Sequence, residues 1–260
     1  MEDRTSRRPE TVILVAALYL AFSWISFLLI DVLNLADLQS LLARRMPVPI
    51  TWYLLFQEGG ATEILQWLFL GLAALVGAFL AGLAFRDGEA TVLRFWGLMG
   101  IACTLLLMED AGNARHYLAA LAGMFVPSSL RPTTTILVEV AYYSLLASVP
   151  LYALWRYRGP AFSLAPARRF LLLGFASYAV ASAASATRDV GDWYRVLGGA
   201  IRGLLGDQLL IPPGWDLYVM EFYLVDWLLE ESVELVGAAA LAAAAVAFLR
   251  HYLRRPGPAG

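Results

Sequence analysis

Residues 11–30 read TVILVAALYLAFSWISFLLI, twenty residues without a charge. A helix of that length rises ~30 Å, the thickness of a bilayer's hydrocarbon core. The run is longer than the apolar stretch of a signal peptide and lacks a small-x-small cleavage site, so it reads as a retained first helix. Working outward, five more segments have spanning length and apolar content. Spans are expected at about 11–33, 62–85, 93–114, 133–155, 169–188 and 226–250. The expected fold is all-α: an integral membrane bundle of about six transmembrane helices, one domain over residues 1–255, with a Pro/Gly-rich flexible tail at 256–260.

Composition agrees. The chain is 60% hydrophobic and 15% charged, against about 45–50% and 25% in soluble domains. Its basic residues are all arginine. Without lysine no retinal Schiff base can form, which excludes a rhodopsin-type chromophore. Cys103 is the only cysteine, so neither an intramolecular disulfide nor a thiolate metal cluster is available. Only His116 and His251 are present, which excludes a three-histidine metal site within one chain.

Arginine placement sets the expected orientation. With the N-terminus inside, twelve arginines fall on the cytoplasmic side: Arg4, Arg7, Arg8, Arg86, Arg94, Arg156, Arg158, Arg168, Arg169, Arg250, Arg254 and Arg255. Seven fall outside, among them Arg115, Arg188, Arg195 and Arg202. N-in and C-in follows, with a plasma-membrane location expected. Trp96 and Trp155 read as inner interfacial anchors, and Trp52, Trp193, Trp215 and Trp227 as outer ones. The outer connections 34–61 and 189–225 are too apolar for free loops and are expected to carry interfacial helices. Pro212 and Pro213 argue against a seventh span. Small residues every fourth position, Ser177/Ala181/Ser185 and Ala239/Ala243/Ala247, mark close helix packing.

Sixteen of the twenty-one carboxylates lie outside or in the outer halves of the spans. In regular helices Glu109, Asn113 and His116 share one face, as do Asp226, Glu230 and Glu234. A carboxylate at membrane depth must be paired, protonated or wet, and its default reading is functional. The expected site is an outward-facing acidic polar cavity lined by Glu63, Glu109, Asp110, Asn113, His116, Glu139, Tyr142, Arg188, Glu230, Glu231 and Glu234. The expected ligand is a cation or a small cationic or polar molecule, in transport or ligand binding. The alternatives are an intramembrane enzyme using carboxylates or a metal on a lipid-like substrate, and a structural subunit with a membrane-protein partner. No residue is assigned as catalytic or as a metal ligand. Glu-x-x-His, His-Glu-x-x-His, Walker and dinucleotide-binding motifs are missing, and no basic face with interleaved aromatics suggests nucleic acid.

The motifs Glu63-x-x-x-Trp67, Glu109-Asp110 with Arg115, and Glu230-Glu231-x-x-Glu234 followed by Gly237-Ala238 resemble those of a group of uncharacterised bacterial multi-pass membrane proteins. Ala111-Gly112-Asn113-Ala114 stands where that group carries Ser-Trp-Gly-Gln. The resemblance covers about a third of the chain and implies a shared bundle with an outer polar centre. It implies no particular reaction. The histidine-rich zinc centre of ceramidase-type intramembrane hydrolases has no counterpart here.

Overall fold

A computed structural model describes residues 8–46, 48, 50–188, 190–206, 209, 211–212 and 214–255. Arg4, Arg7, Pro213 and the 256–260 tail, which entered the sequence argument, lie outside the described residues. The described chain is an all-α bundle without strands. Six helical segments are long and apolar enough to cross a membrane: Pro9–Val32, Thr51–Arg86, Ala90–Gly112, Ser128–Tyr157, Ala165–Thr187 and Leu217–Leu253. The second and sixth begin about ten residues earlier than the apolar runs alone indicate, because the ends of both outer connections are themselves helical.

In chain order the helices are α1 (Arg8–Ser26), α2 (Leu38–Ala43), α3 (Thr51–Phe56), α4 (Ala61–Arg86), α5 (Ala90–Gly112) and α6 (Ala114–Met124). Then follow α7 (Arg131–Tyr157), α8 (Gly159–Ser163), α9 (Ala165–Thr187), α10 (Trp193–Leu205), α11 (Leu217–Tyr223) and α12 (Glu231–Leu253). Two π-helical turns interrupt the regular helices, Phe27–Val32 after α1 and Leu224–Glu230 between α11 and α12. The chain divides into two compact units.

The first unit holds residues 1–14, 66–179 and 236–260. Here α7 packs along α5 and α6. Helices α4 and α5 approach backbone to backbone at a glycine pair: a Cβ on Gly77 would sit 3.2 Å from the Gly100 Cα. Helices α9 and α12 do likewise, and a Cβ on Gly237 would meet the Tyr178 ring at 3.0 Å and the Ser177 Cβ at 3.1 Å. Lipid supplies little hydrophobic drive between apolar helices, so such contact through small residues is what holds them. Residues Ala238 to Ala245 of α12 are no more than 2% exposed, so this alanine-rich stretch is buried around its whole circumference. The turn between α4 and α5 is tied to α12: the Tyr252 hydroxyl donates to Asp87 at 3.0 Å. Arg86 and this hydroxyl hold the Asp87 carboxyl below its ordinary pKa.

The second unit holds residues 15–65 and 180–235. Its core is aromatic. Trp52, Phe27, Phe56, Met220, Leu224 and Trp227 are buried, with Trp24, Tyr53, Trp215 and Tyr223 packed on them. Asp31, in the first π turn and fully buried, accepts from the Thr51 backbone N–H at 2.9 Å and from that of Trp52 at 2.7 Å. These N–H groups are orphans of the first turn of α3, so the carboxylate acts as its cap from twenty residues away. Helix α10 packs on α11 and on the second π turn.

The tryptophan reading needs correction. Trp96, Trp52 and Trp227 are 2%, 0% and 9% exposed. Rings enclosed by protein cannot anchor at a lipid–water boundary. Trp96 instead lies against Phe248, ring centres 5.2 Å apart, and Trp227 against Tyr223 at 4.2 Å. Trp155 is 73% exposed and remains available to an interface.

Candidate functional site

The eleven expected site residues divide between the units. Glu109, Asp110, Asn113, His116, Glu139 and Tyr142 belong to the first, and Glu63, Arg188, Glu230, Glu231 and Glu234 to the second.

In the first unit the chain breaks where the polar residues begin. Helix α5 ends at Gly112, and Asn113 takes the left-handed conformation (φ 48°, ψ 35°), its N–H donating to the Glu109 carbonyl at 2.8 Å. Asparagine tolerates this region better than most residues. The break ends the continuous face expected for Glu109, Asn113 and His116, and turns α6 so that Arg115 and His116 meet side chains on α5 and α7. The Arg115 Nε lies 3.7 Å from Glu109 Oε1 and donates to His116 Nε2 at 3.4 Å. The His116 Nδ1 lies 4.0 Å from Glu139 Oε1. The Tyr142 hydroxyl lies near the Glu109 carboxylate, and the Arg115 guanidinium lies over the Tyr143 ring, 5.2 Å from its centre. Gln66 on α4 donates to Asp110 at 2.7 Å. Glu109 and Glu139 are 7% and 2% exposed.

In the second unit two carboxylates of the last span meet side chains from earlier in the chain. Asp226 pairs with Arg188 at 3.5 Å, and Glu230 accepts from the Tyr194 hydroxyl at 2.5 Å. Both carboxylates belong to the π turn Leu224–Glu230, whose i→i+5 bonding changes the angular spacing of its side chains. The common face expected for Asp226, Glu230 and Glu234 assumed regular α-helix and does not persist through this turn. Ser232 supports the junction, donating to the Leu228 carbonyl at 2.7 Å and accepting from the Trp24 indole at 3.1 Å. Burial and the Glu230 carboxylate raise the Tyr194 phenol well above its ordinary pKa. Glu63, 4% exposed, accepts from the Gly59 backbone N–H and so ties down the turn before α4. Glu231 is 9% exposed.

Residues absent from the expected set carry much of this geometry: Arg115 and Tyr143 in one unit, Tyr194 and Asp226 in the other. Arg115 was legible as the charge beside the break. Tyr194 was not, because its partner lies 36 residues away in the chain. Among the described residues no three His, Cys, Asp or Glu side chains come together in a group suited to hold a metal ion. No protein-family model, curated protein or solved structure matches the chain.

Proposed function

We propose that the chain is a multi-pass protein of the bacterial inner membrane, N-in and C-in, that binds a cation or a small cationic or polar ligand on its buried carboxylates, as a transporter or a ligand-binding protein. One observation carries this reading: carboxylates gather where one spanning helix ends in a left-handed turn and where another is interrupted by a π turn. Glu109 and Asp110 precede the break at Asn113, and Asp226 and Glu230 lie in the second π turn with Glu231 and Glu234 just after it. Membrane transporters bind ions and substrates where spanning helices are discontinuous, and π turns recur at functional sites.

The test is thermal unfolding of the purified protein in lipid nanodiscs with sodium, calcium, putrescine or tetramethylammonium ions. A ligand at a hundred times its Kd adds about 2.7 kcal/mol, or roughly 5–10 °C for a chain of this size. At least one probe is expected to raise Tm saturably in the wild type and not in the Glu230→Gln/Glu234→Gln variant. No shift with any probe sinks this reading. Elemental analysis of the same samples addresses the enzymatic alternative: a stoichiometric metal lost in the variant favours metal-assisted chemistry on a lipid-like substrate.

The structural-subunit reading has its own support. The carboxylates of Asp31, Glu221 and Asp226 are each held by protein groups, Glu221 by Arg202 at 2.9 Å. A protein whose ion pairs only join helices would show no ligand response and would copurify with a membrane-protein partner.

A further inference from the structure

Both ring nitrogens of His116 face charged groups, and the arrangement fixes which of them carries the proton. Arg115 Nε has a single N–H, and it points to His116 Nε2 at 3.4 Å. For that nitrogen to accept, the ring must be neutral with its own proton on Nδ1, toward Glu139 Oε1 at 4.0 Å. Glu109 Oε1, 3.7 Å from the same Arg115 nitrogen, is the alternative acceptor for that N–H. Counting Glu109 and Glu139 as ionised, the cluster of Glu109, Arg115, His116 and Glu139 is one positive charge short of neutral. The His116 side chain is 33% exposed, whereas those of Glu139 and Glu109 are 3% and 8% exposed. The histidine is thus the exposed end of a network whose carboxylates are buried.

We propose that His116 is a proton-binding site that moves Arg115 between two acceptors. A proton arriving from solvent bonds to Nε2, the atom that Arg115 uses. Two N–H donors cannot share that position, so the Arg115 bond breaks and the guanidinium turns to Glu109, which Tyr142 already contacts. The imidazolium keeps Nδ1–H toward Glu139, now as an ion pair. The break at Asn113 is the joint beside which this exchange occurs. At the α6 end of the two helices packed against it, the charged and titratable groups are Glu109 and Asp110 on α5, and Arg131, Glu139, Tyr142 and Tyr143 on α7; Arg94 and Cys103 on α5 and Tyr152, Arg156 and Tyr157 on α7 lie further along. Asp110 is bonded by Gln66, and Arg131 packs at the far end of α6, by Gly123. The site takes a proton whether or not the chain binds the ligand proposed above.

The chain has only two histidines, so a His251→Gln variant leaves His116 as the sole imidazole. Nitrogen NMR of this variant, labelled with ¹⁵N-histidine in nanodiscs, reads tautomer and charge directly. The expected result at high pH is one neutral tautomer protonated at Nδ1, converting to the imidazolium as pH falls. Adding Glu139→Gln should lower the midpoint by about one to three pH units. Adding Arg115→Gln should abolish the preference for the Nδ1 tautomer. A neutral ring protonated at Nε2 in the His251→Gln protein overturns the proposal, and that measurement leaves the network intact. A midpoint unmoved by Glu139→Gln in a protein that still unfolds cooperatively overturns it as well.

Discussion

Tyr194 is 1% exposed, and its hydroxyl donates to the Glu230 carboxylate at 2.5 Å. An ionised phenol there would lose its solvation and face a negative charge, so the native state holds the proton to a higher pH than the unfolded chain does. The stabilisation is complete below the unfolded value of about 10 and is lost as pH rises above it. Wild-type Tm should therefore fall more steeply above pH 10 than that of Tyr194→Phe, measured by thermal unfolding in nanodiscs. At neutral pH the same variant should be less stable by about 1.5–3 kcal/mol, the worth of a hydrogen bond to a charged group. Equal alkaline slopes would show that Tyr194 does not hold its proton in the folded state.

Among the elements, α10 and α11 meet where only glycine fits. A Cβ on Gly198 would run into the backbone carbonyl of Glu221, whereas one on Gly203, in the same helix, would meet nothing within 4 Å. The pair separates packing from helix propensity. Gly198→Ala should cost about 1–3 kcal/mol or more, because backbone rather than a flexible side chain must move. Gly203→Ala should gain about 0.5–1 kcal/mol from propensity alone. Chemical denaturation of the two variants in one detergent checks the contrast, and equal stabilities would mean that α10 and α11 do not cross this closely. The crossing matters because α10 carries Tyr194 to Glu230.

For the whole molecule, orientation is open to a direct check. Of the seven arginines assigned outside, Arg115, Arg188, Arg195 and Arg202 each lie beside a carboxylate. Arg86 and Arg255, assigned inside, also lie beside carboxylates, so pairing leaves unchanged the arginine count on which the expected orientation rests. Cys103 is buried, so a Cys103→Ser background is a clean start for labelling. A cysteine at Ser129, exposed between α6 and α7, should react with a membrane-impermeant maleimide in right-side-out vesicles. One at Ser163, exposed at the end of α8, should react only in inverted vesicles. The opposite pattern would reverse the topology.

Six spans were legible because a long apolar run has one inexpensive solution in lipid, a helix that satisfies its own backbone. The carboxylates were legible as residue types within the apolar segments, and the structure places Glu109 near Tyr142, Glu139 near His116 and Glu230 against Tyr194. Periodicity failed where it assumed unbroken α-helix. The left-handed turn at Asn113 and the π turn at Leu224–Glu230 reset the faces, so residues expected side by side took different partners. Those irregularities are held by contacts remote in sequence: Asp31 reaches Thr51 and Trp52, Trp24 reaches Ser232, and Tyr194 reaches Glu230. The sequence by itself determined the helical, membrane-spanning class and the chemical kinds at the site. Only the tertiary structure decided where helices break and which charge answers which, because a local departure from helix geometry costs little and distant side chains select it.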